Sequence, residues 1–194
     1  TTANVGAILA SKGYNVLLVD LDAQSNLTTY FLPDIPERTV FDALSSEEGE
    51  LPIINVRERL DIVPSSLKMA TIEYVVMAKI DRNELLKYRL QEVSERYDFI
   101  LLDCPPSLGI ITTNALVAST GVIIPTTAEV IPVKGLATIT GMIKTIQRHA
   151  NPSLTLDGII ITRFGGRKVN KEIAEGIRES FPDIVFNTNV RENV

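Results

Sequence analysis

Short runs of apolar residues recur along the chain and alternate with segments of helical periodicity. The runs contain Val, Leu and Ile with few polar residues between them, a pattern typical of parallel strands that are covered on both faces. We predict strands at residues 15–19, 60–63, 99–102, 122–124, 158–161 and 184–186, with Pro125 closing the fourth. Helical spacing predicts helices at residues 2–11, 85–96, 135–149 and 169–180.

This alternation of strands and helices predicts the fold class. It indicates an α/β protein with a doubly wound, mostly parallel sheet and helices on both faces. No linker or repeat of fixed period interrupts the pattern, so we expect one domain over residues 1–194. The most polar stretch, residues 33–52, is expected to lie on the surface.

Composition places the chain among ordinary globular proteins. Of its 194 residues, 45% are hydrophobic and 22% are charged. No apolar run approaches the roughly 20 residues that a membrane-spanning helix needs. The one cysteine, Cys104, excludes an internal disulfide and fits a cytoplasmic location.

Charge is unevenly distributed. The net charge of −5 argues against nucleic-acid binding by the protein as a whole. Residues 141–171 nevertheless carry six Lys or Arg side chains against one acidic residue, Asp157. Such a cluster is either a solvated surface or a face that holds phosphate groups, and charge alone leaves both interpretations open.

Acidic residues stand at the ends of two predicted strands. Asp20 and Asp22 follow the first strand, and Asp103 follows the third. In open α/β sheets, ligands bind beyond the carboxyl ends of the strands, and paired carboxylates there suit a divalent cation with phosphates. The alternative is that Asp20 and Asp22 only cap a following helix or turn.

Five sequence segments, in order, carry a family resemblance. Residues 16–28, VLLVDLDAQSNLT, resemble the VLLVDLDPQGNLT segment of ParA/Soj partition ATPases, with Ala23 and Ser25 replacing Pro and Gly. Residues 97–106, YDFILLDCPP, resemble the family's YDxIxxDxPP segment, whose Asp is that of a Walker B strand. Residues 63–66, 124–136 and 188–194 resemble its IPSS, IPV…E…xGL and TxIRxNV stretches.

The resemblance implies a P-loop NTPase-like fold and an ATPase that uses ATP and Mg²⁺. It implies that Asp22 positions the attacking water, that Asp103 holds Mg²⁺ through water, and that Asp20 lies near the metal. Thr1 is a candidate nucleotide-binding residue, although the magnesium-binding hydroxyl is expected at Thr1 or one or two positions before it. Thr162, Arg163 and Asn193 match the segments that flank the adenine, although Arg191 stands where some members have Pro.

The family's deviant Walker A loop, KGGVGK[ST]T, is expected immediately before Thr1. That loop's amides and lysines cradle the phosphates. Because neither the loop nor the strand before it is in the sequence, we expect a chain truncated at both ends.

Partners also follow from the resemblance. It implies a homodimer, a ParB-like centromere-binding stimulating protein and nucleoid association without a membrane. Arg167, Lys168 and Lys171 fall where some members contact DNA without sequence specificity.

The resemblance leaves three functions open. The first is a dimeric, ATP-hydrolysing switch acting in plasmid or chromosome partition. The second is a MinD-like ATPase that works at a membrane, and the third is a regulator or adaptor that keeps the fold without hydrolysis. The segment around Asp22 resembles ParA more closely than MinD, and the retained Asp22 and Asp103 favour hydrolysis.

Overall fold

The computed structural model describes residues 1–47, 49–129, 132–165 and 168–192, with the side chains of residues 132–134 excepted. The chain forms two compact units, residues 1–118 and residues 119–194. The single domain expected over residues 1–194 stays a prediction.

The first unit contains a four-stranded sheet. Its strands are β1 (Val16–Asp20), β2 (Ile54–Arg57), β3 (Leu60–Val63) and β4 (Phe99–Asp103), in the order β2-β3-β1-β4. β1 pairs in parallel with both β3 and β4, whereas β2 pairs antiparallel with β3. The helices are α1 (Thr2–Ser11), α2 (Asn26–Phe31), α3 (Val40–Ser45), α4 (Ile72–Val76), α5 (Leu85–Gln91) and α6 (Ile110–Ala118), and short 3-10 helices cover Leu67–Thr71 and Ser94–Arg96.

The central strand β1 is buried on both faces because its side chains alternate between two hydrophobic clusters. Leu17 and Val19 pack in a cluster that includes residues of α3, α5 and α6. Val16 and Leu18 pack in a second cluster that includes residues of α1 and α2. Helices therefore cover both faces of β1, as its continuous apolar run predicts.

The second unit contains a parallel pair of strands. They are β5 (Gly121–Thr127) and β6 (Thr155–Thr162), followed along the chain by α7 (Pro132–His149) and α8 (Lys168–Ser180), respectively. The core includes Ile159 and Ile161 of β6, which are fully buried, and Ala174 and Ile177 of α8. The mostly parallel strands flanked by helices confirm the predicted fold class.

Several predicted element boundaries differ in the structure, and three of the differences have a clear basis. Strand β5 continues through Pro125 to Thr127, because an edge strand tolerates a residue without an N–H group. The helix predicted over residues 85–96 ends at Gln91 and is followed by the 3-10 helix. The strand predicted at residues 184–186 is reduced to one bridge between Val185 and Ile159, directly after a turn in which Asp183 has a φ of 68°.

The polar stretch at residues 33–52 is not all on the surface, contrary to expectation. It contains α3, whose Val40, Ala43 and Leu44 are buried. Thr39 and Asp42 form a capping box at the start of α3, so the polar residues that suggested a surface loop instead start a helix.

Candidate active site

Asp20 and Asp103 lie side by side at the carboxyl ends of adjacent strands. In the parallel register of β1 and β4, Asp20 is the Cα partner of Asp103. The Leu21 N–H donates a 2.9 Å hydrogen bond to the Asp103 carbonyl, which extends the contact one residue beyond β1. The predicted meeting of these two strand ends at one edge of the sheet is therefore present.

Helix α1 brings a hydroxyl group to Asp103. The Thr2 hydroxyl donates a 2.6 Å hydrogen bond to Asp103 Oδ1. Close packing of α1 on β1 supports this contact, because a Cβ built on Gly6 would lie 2.6 Å from Leu18 Cδ2. Thr1 is exposed at the N-cap position of α1, and its part in nucleotide binding stays a prediction. Nothing in the sequence indicated the contact between Thr2 and Asp103.

Asp20 is fully buried and bonded within the protein. Its Oδ2 accepts hydrogen bonds from the Thr28 N–H at 2.8 Å and the Thr28 hydroxyl at 2.7 Å, and its Oδ1 accepts one from the Asp22 N–H at 3.1 Å. Burial raises the pKa of Asp20 above its ordinary value and the charge of Asp103 adds to this, while the bonds from Thr28 and Asp22 act in the opposite direction. Asp20 thus holds the start of α2 against the end of β1.

Asp22 is half-buried in the turn between β1 and α2. Its Oδ1 accepts a 3.0 Å hydrogen bond from the Gln24 N–H, and its carbonyl accepts a 2.8 Å bond from the Ser65 hydroxyl. Ser25, next in the turn, has a φ of 54° and occupies the left-handed region where the resembling segment has Gly. Both aspartates therefore make the capping contacts that the alternative interpretation predicted.

Thr28 and Ser65 connect the end of β1 to the segment that follows β3. The sequence alone assigned neither residue a role. Both residues are fully buried, and the Thr28 hydroxyl accepts a 2.8 Å hydrogen bond from the Ser65 N–H while it donates to Asp20. A buried hydroxyl that both donates and accepts fixes the position of its partners. The only sequence signal was that each residue lies in a segment that resembles the family, at residues 16–28 and 63–66.

The residues at this sheet edge fit a magnesium ion held together with a phosphate group. Among the residues that the structure describes, no group of three or more His, Cys, Asp or Glu side chains is arranged to hold a metal. Mg²⁺ in nucleotide sites takes one or two carboxylates alongside phosphate oxygens and water. Asp103 offers a carboxylate of this kind, and the Thr2 hydroxyl that bonds its Oδ1 holds it at the sheet edge.

In the second unit, Thr162 and Arg163 lie at the end of β6. The Thr162 hydroxyl donates to the Thr126 carbonyl at 3.1 Å. Arg163 has a φ of 49° and donates from Nε and Nη2 to Glu192 Oε1 at 3.1 and 2.9 Å. Its guanidinium is thus paired with a carboxylate, and Asn193 lies outside the described residues.

Two of the three predicted DNA-contacting residues lie at the start of α8. Lys168 and Lys171 are both exposed, and Lys168 Nζ lies 3.7 Å from Glu172 Oε1. Arg167 lies outside the described residues. None of the helices in the described ranges is both long and apolar enough to cross a membrane.

Comparisons with known proteins agree with these observations. A family model described as an AAA domain matches residues 1–156. The sporulation initiation inhibitor protein Soj of Bacillus subtilis (strain 168) is 36% identical over 200 residues, which cover 100% of this chain and 79% of Soj. The chromosome-partitioning ATPase Soj of Treponema pallidum (strain Nichols) is 36% identical over 194 residues, covering 98% of this chain and 76% of that protein.

A solved structure supports the fold. It is the cobyrinic acid a,c-diamide synthase from Mycobacterium smegmatis with bound ADP and magnesium. It has a TM-score of 0.92 and 27% sequence identity, and the match covers 99% of this chain and 80% of that one.

Proposed function

The chain belongs to the ParA/Soj family of P-loop ATPases, and we propose that it is an ATP-hydrolysing, Mg²⁺-dependent switch in plasmid or chromosome partition. The observation that carries the proposal is the hydrogen bond between Thr2 and Asp103 beside the end of β1. It brings a hydroxyl and a carboxylate to one edge of the sheet, where open α/β folds bind their ligands.

The proposed ligands are ATP and Mg²⁺. When bound, Mg²⁺ neutralises charge on the phosphate oxygens. Asp103 is proposed to hold the metal through water, and Thr2 keeps the Asp103 carboxylate in place. Asp20, enclosed by bonds from Thr28 and Asp22, serves as a fixed support near the metal. Thr1 stays a predicted nucleotide-binding residue.

Asp22 is proposed to position the attacking water. Phosphoryl transfer depends on placement and charge stabilisation more than on covalent chemistry by the protein. The bonds from Gln24 to the Asp22 carboxylate and from Ser65 to its carbonyl restrict where that carboxylate lies. A fixed carboxylate of this kind orients a water molecule with little loss of freedom at the moment of reaction.

Base recognition is proposed for the second unit. Thr162, Arg163 and Asn193 are the candidate residues that flank the adenine. The hydrogen bond from Thr162 to Thr126 and the pairing of Arg163 with Glu192 restrain two of them.

The proposed switch is a homodimer that binds DNA without sequence specificity and responds to a ParB-like stimulating protein. Arg167, Lys168 and Lys171 are the proposed DNA contacts, and phosphate contacts of this kind weaken steeply with salt. Nucleoid association would follow from the same contacts. The basic residues gathered within 141–171 of an otherwise acidic chain support this part of the proposal.

The function is tested by steady-state ATP turnover of the full-length protein, with and without Mg²⁺ and with and without duplex DNA. We expect turnover that requires Mg²⁺ and rises when DNA is present. Tight ATP binding without turnover under every condition would instead identify a non-hydrolysing regulator with the same fold.

A further inference from the structure

One segment of the first unit runs between the loop that holds Asp22 and the segment that follows Asp103. It begins at Ser65, whose hydroxyl bonds the Asp22 carbonyl at 2.8 Å. The 3-10 helix Leu67–Thr71 and helix α4 follow without a break. A contact that fixes the position of α4 therefore also helps to fix the positions of Ser65 and Asp22.

The other end of this segment contacts the start of α6. Glu73, in the first turn of α4, accepts a 3.1 Å hydrogen bond at Oε1 from the Ile110 N–H. Ile110 is the first residue of α6, and the N–H groups of a helix's first turn have no partner within the helix. A carboxylate from another helix meets that need and also interacts favourably with the positive end of α6.

Gly109 leaves room for the Glu73 carboxylate at this contact. A Cβ built on Gly109 would overlap with Glu73 Oε1, so a side chain there would displace the carboxylate. The Glu73 carboxylate therefore bonds the Ile110 N–H and lies close to Gly109. These residues end the loop that begins immediately after Asp103.

The segment from Ser65 to α4 and the loop after Asp103 are both restrained. The inward side chains of the connecting segment are buried, with Met69 4%, Ile72 1% and Val76 1% exposed. In the loop after Asp103, two consecutive prolines limit the backbone, and the Thr112 hydroxyl donates a 2.6 Å bond to the Ser107 carbonyl. A restrained loop and a packed helix transmit a displacement instead of absorbing it.

We propose that Glu73 is a positioning residue of the ATPase. It links the segment that follows Asp103, through α4 and Ser65, to the loop that holds Asp22. The inference rests on the proposed function, because it assigns Glu73 a part in the alignment of Asp22 with Asp103. Glu73 acts through other residues and is not itself placed on the nucleotide.

The alternative is that Glu73 only stabilises α6. A purely stabilising contact changes the melting temperature and leaves the turnover of the folded enzyme unaltered. A positioning contact lowers kcat at temperatures where the variant is fully folded. The ratio of the effects on kcat and KM, measured together with the melting temperature, separates the two.

The test uses the full-length protein with Mg²⁺ and ATP. Glu73→Ala removes the acceptor, and we expect kcat to fall by about tenfold to a hundredfold, as small misplacements of catalytic groups do, with KM changed by less than about twofold. Glu73→Gln keeps an oxygen at the same place and should retain most of kcat. Tyr97→Phe, which removes a 2.7 Å hydrogen bond to Asp61, is the control for reduced stability and should keep the wild-type kcat.

Gly109→Ala disturbs the same contact by placing a methyl group where the Glu73 carboxylate lies. It should lower kcat in the wild type and add little to Glu73→Ala, because residues that share one contact are not additive. The effect of Gly109→Ala on kcat therefore tests the positioning role even where Glu73→Ala folds poorly.

The possible outcomes distinguish the two proposals. No turnover by the wild type would remove the proposed function, whatever Glu73 does. An active wild type with unchanged kcat in Glu73→Ala and Gly109→Ala would overturn the positioning role alone. So would a loss that Glu73→Gln fails to restore.

Discussion

Thr2 and Asp103 are 101 positions apart in sequence, yet the Thr2 hydroxyl donates a 2.6 Å hydrogen bond to Asp103 Oδ1. The bond joins the first turn of α1 to the last residue of β4. Because β1 lies next to β4, the same edge of the sheet also presents Asp20 and the turn that contains Asp22. The bond therefore lies at the sheet edge to which the family resemblance assigns the chemistry, and the pairing of β1 with β4 brings Asp20 to the same edge.

Removing the Thr2 hydroxyl should impair hydrolysis. Thr2→Val keeps the shape of the side chain and leaves Asp103 Oδ1 without this donor, so the carboxylate loses a fixed orientation. We expect kcat to fall by about tenfold or more, since a charge-assisted bond contributes roughly 1.5–3 kcal/mol. Steady-state turnover as a function of Mg²⁺ concentration measures the effect.

Two further variants control this prediction. Thr2→Ser retains a hydroxyl and should retain most of the activity. Thr145→Val removes a threonine hydroxyl from α7, where it bonds the Gly141 carbonyl, and should leave kcat unchanged. Equal turnover by Thr2→Val and the wild type would show that this contact has no part in hydrolysis.

The hydrogen bond from Tyr97 to Asp61 should make stability depend on pH in the alkaline range. Burial, followed by the bond to Asp61 and its charge, raises the pKa of Tyr97 above its ordinary value. A raised pKa means that this contribution is fully present below the unfolded value near 10. It then disappears as pH rises toward the folded value.

Tyr97→Phe tests this by urea unfolding at a series of pH values. The wild type should be more stable than the variant by about 1 kcal/mol at neutral pH, and the difference should shrink above about pH 10. A difference that stays constant through pH 11 would contradict the assignment.

The strand ends could be predicted from sequence, whereas the side-chain contacts between them could not. Continuous apolar runs that end in Asp20 and Asp103 place both carboxylates at one edge of a parallel sheet before any coordinates are known. Whether Thr1 or Thr2 contacts Asp103 depends on the rotation of α1. That rotation is set by the packing of Gly6 against Leu18.

Contacts between segments that are far apart in sequence produce no periodic pattern from which they could have been predicted. Glu73 and Ile110 are 37 positions apart, and Ser65 and Asp22 are 43 apart. The first pair depends on how α4 packs, and the second on the pairing of β3 with β1, and apolar spacing alone specifies neither. Likewise, α3 was missed because its six residues are too few to show a helical period.

DNA retention should depend on the basic residues near the start of α8. Replacing Arg167, Lys168 and Lys171 with Ala should abolish ATP-dependent retention of the full-length protein on non-specific duplex DNA. The slope of log affinity against log salt should become shallower by about 0.9 for each phosphate group that the variant no longer binds. Electrophoretic mobility shift assays at several salt concentrations provide the measurement.

The control for this prediction is a variant that loses a positive charge elsewhere on the surface. Lys12→Ala removes an exposed positive charge from the end of α1 and should leave retention nearly unchanged. If the triple variant binds DNA as the wild type does, α8 is not the DNA-binding surface.

The most direct test of the account compares ATP binding and single-turnover hydrolysis in wild type, Asp22→Ala and Asp34→Ala. Asp34 is exposed and serves as a control for the removal of one negative charge. We predict that all three proteins bind ATP with Mg²⁺ and that only Asp22→Ala loses most hydrolysis. Hydrolysis by Asp22→Ala at the wild-type rate would contradict the placement of Asp22 and Asp103 around one nucleotide.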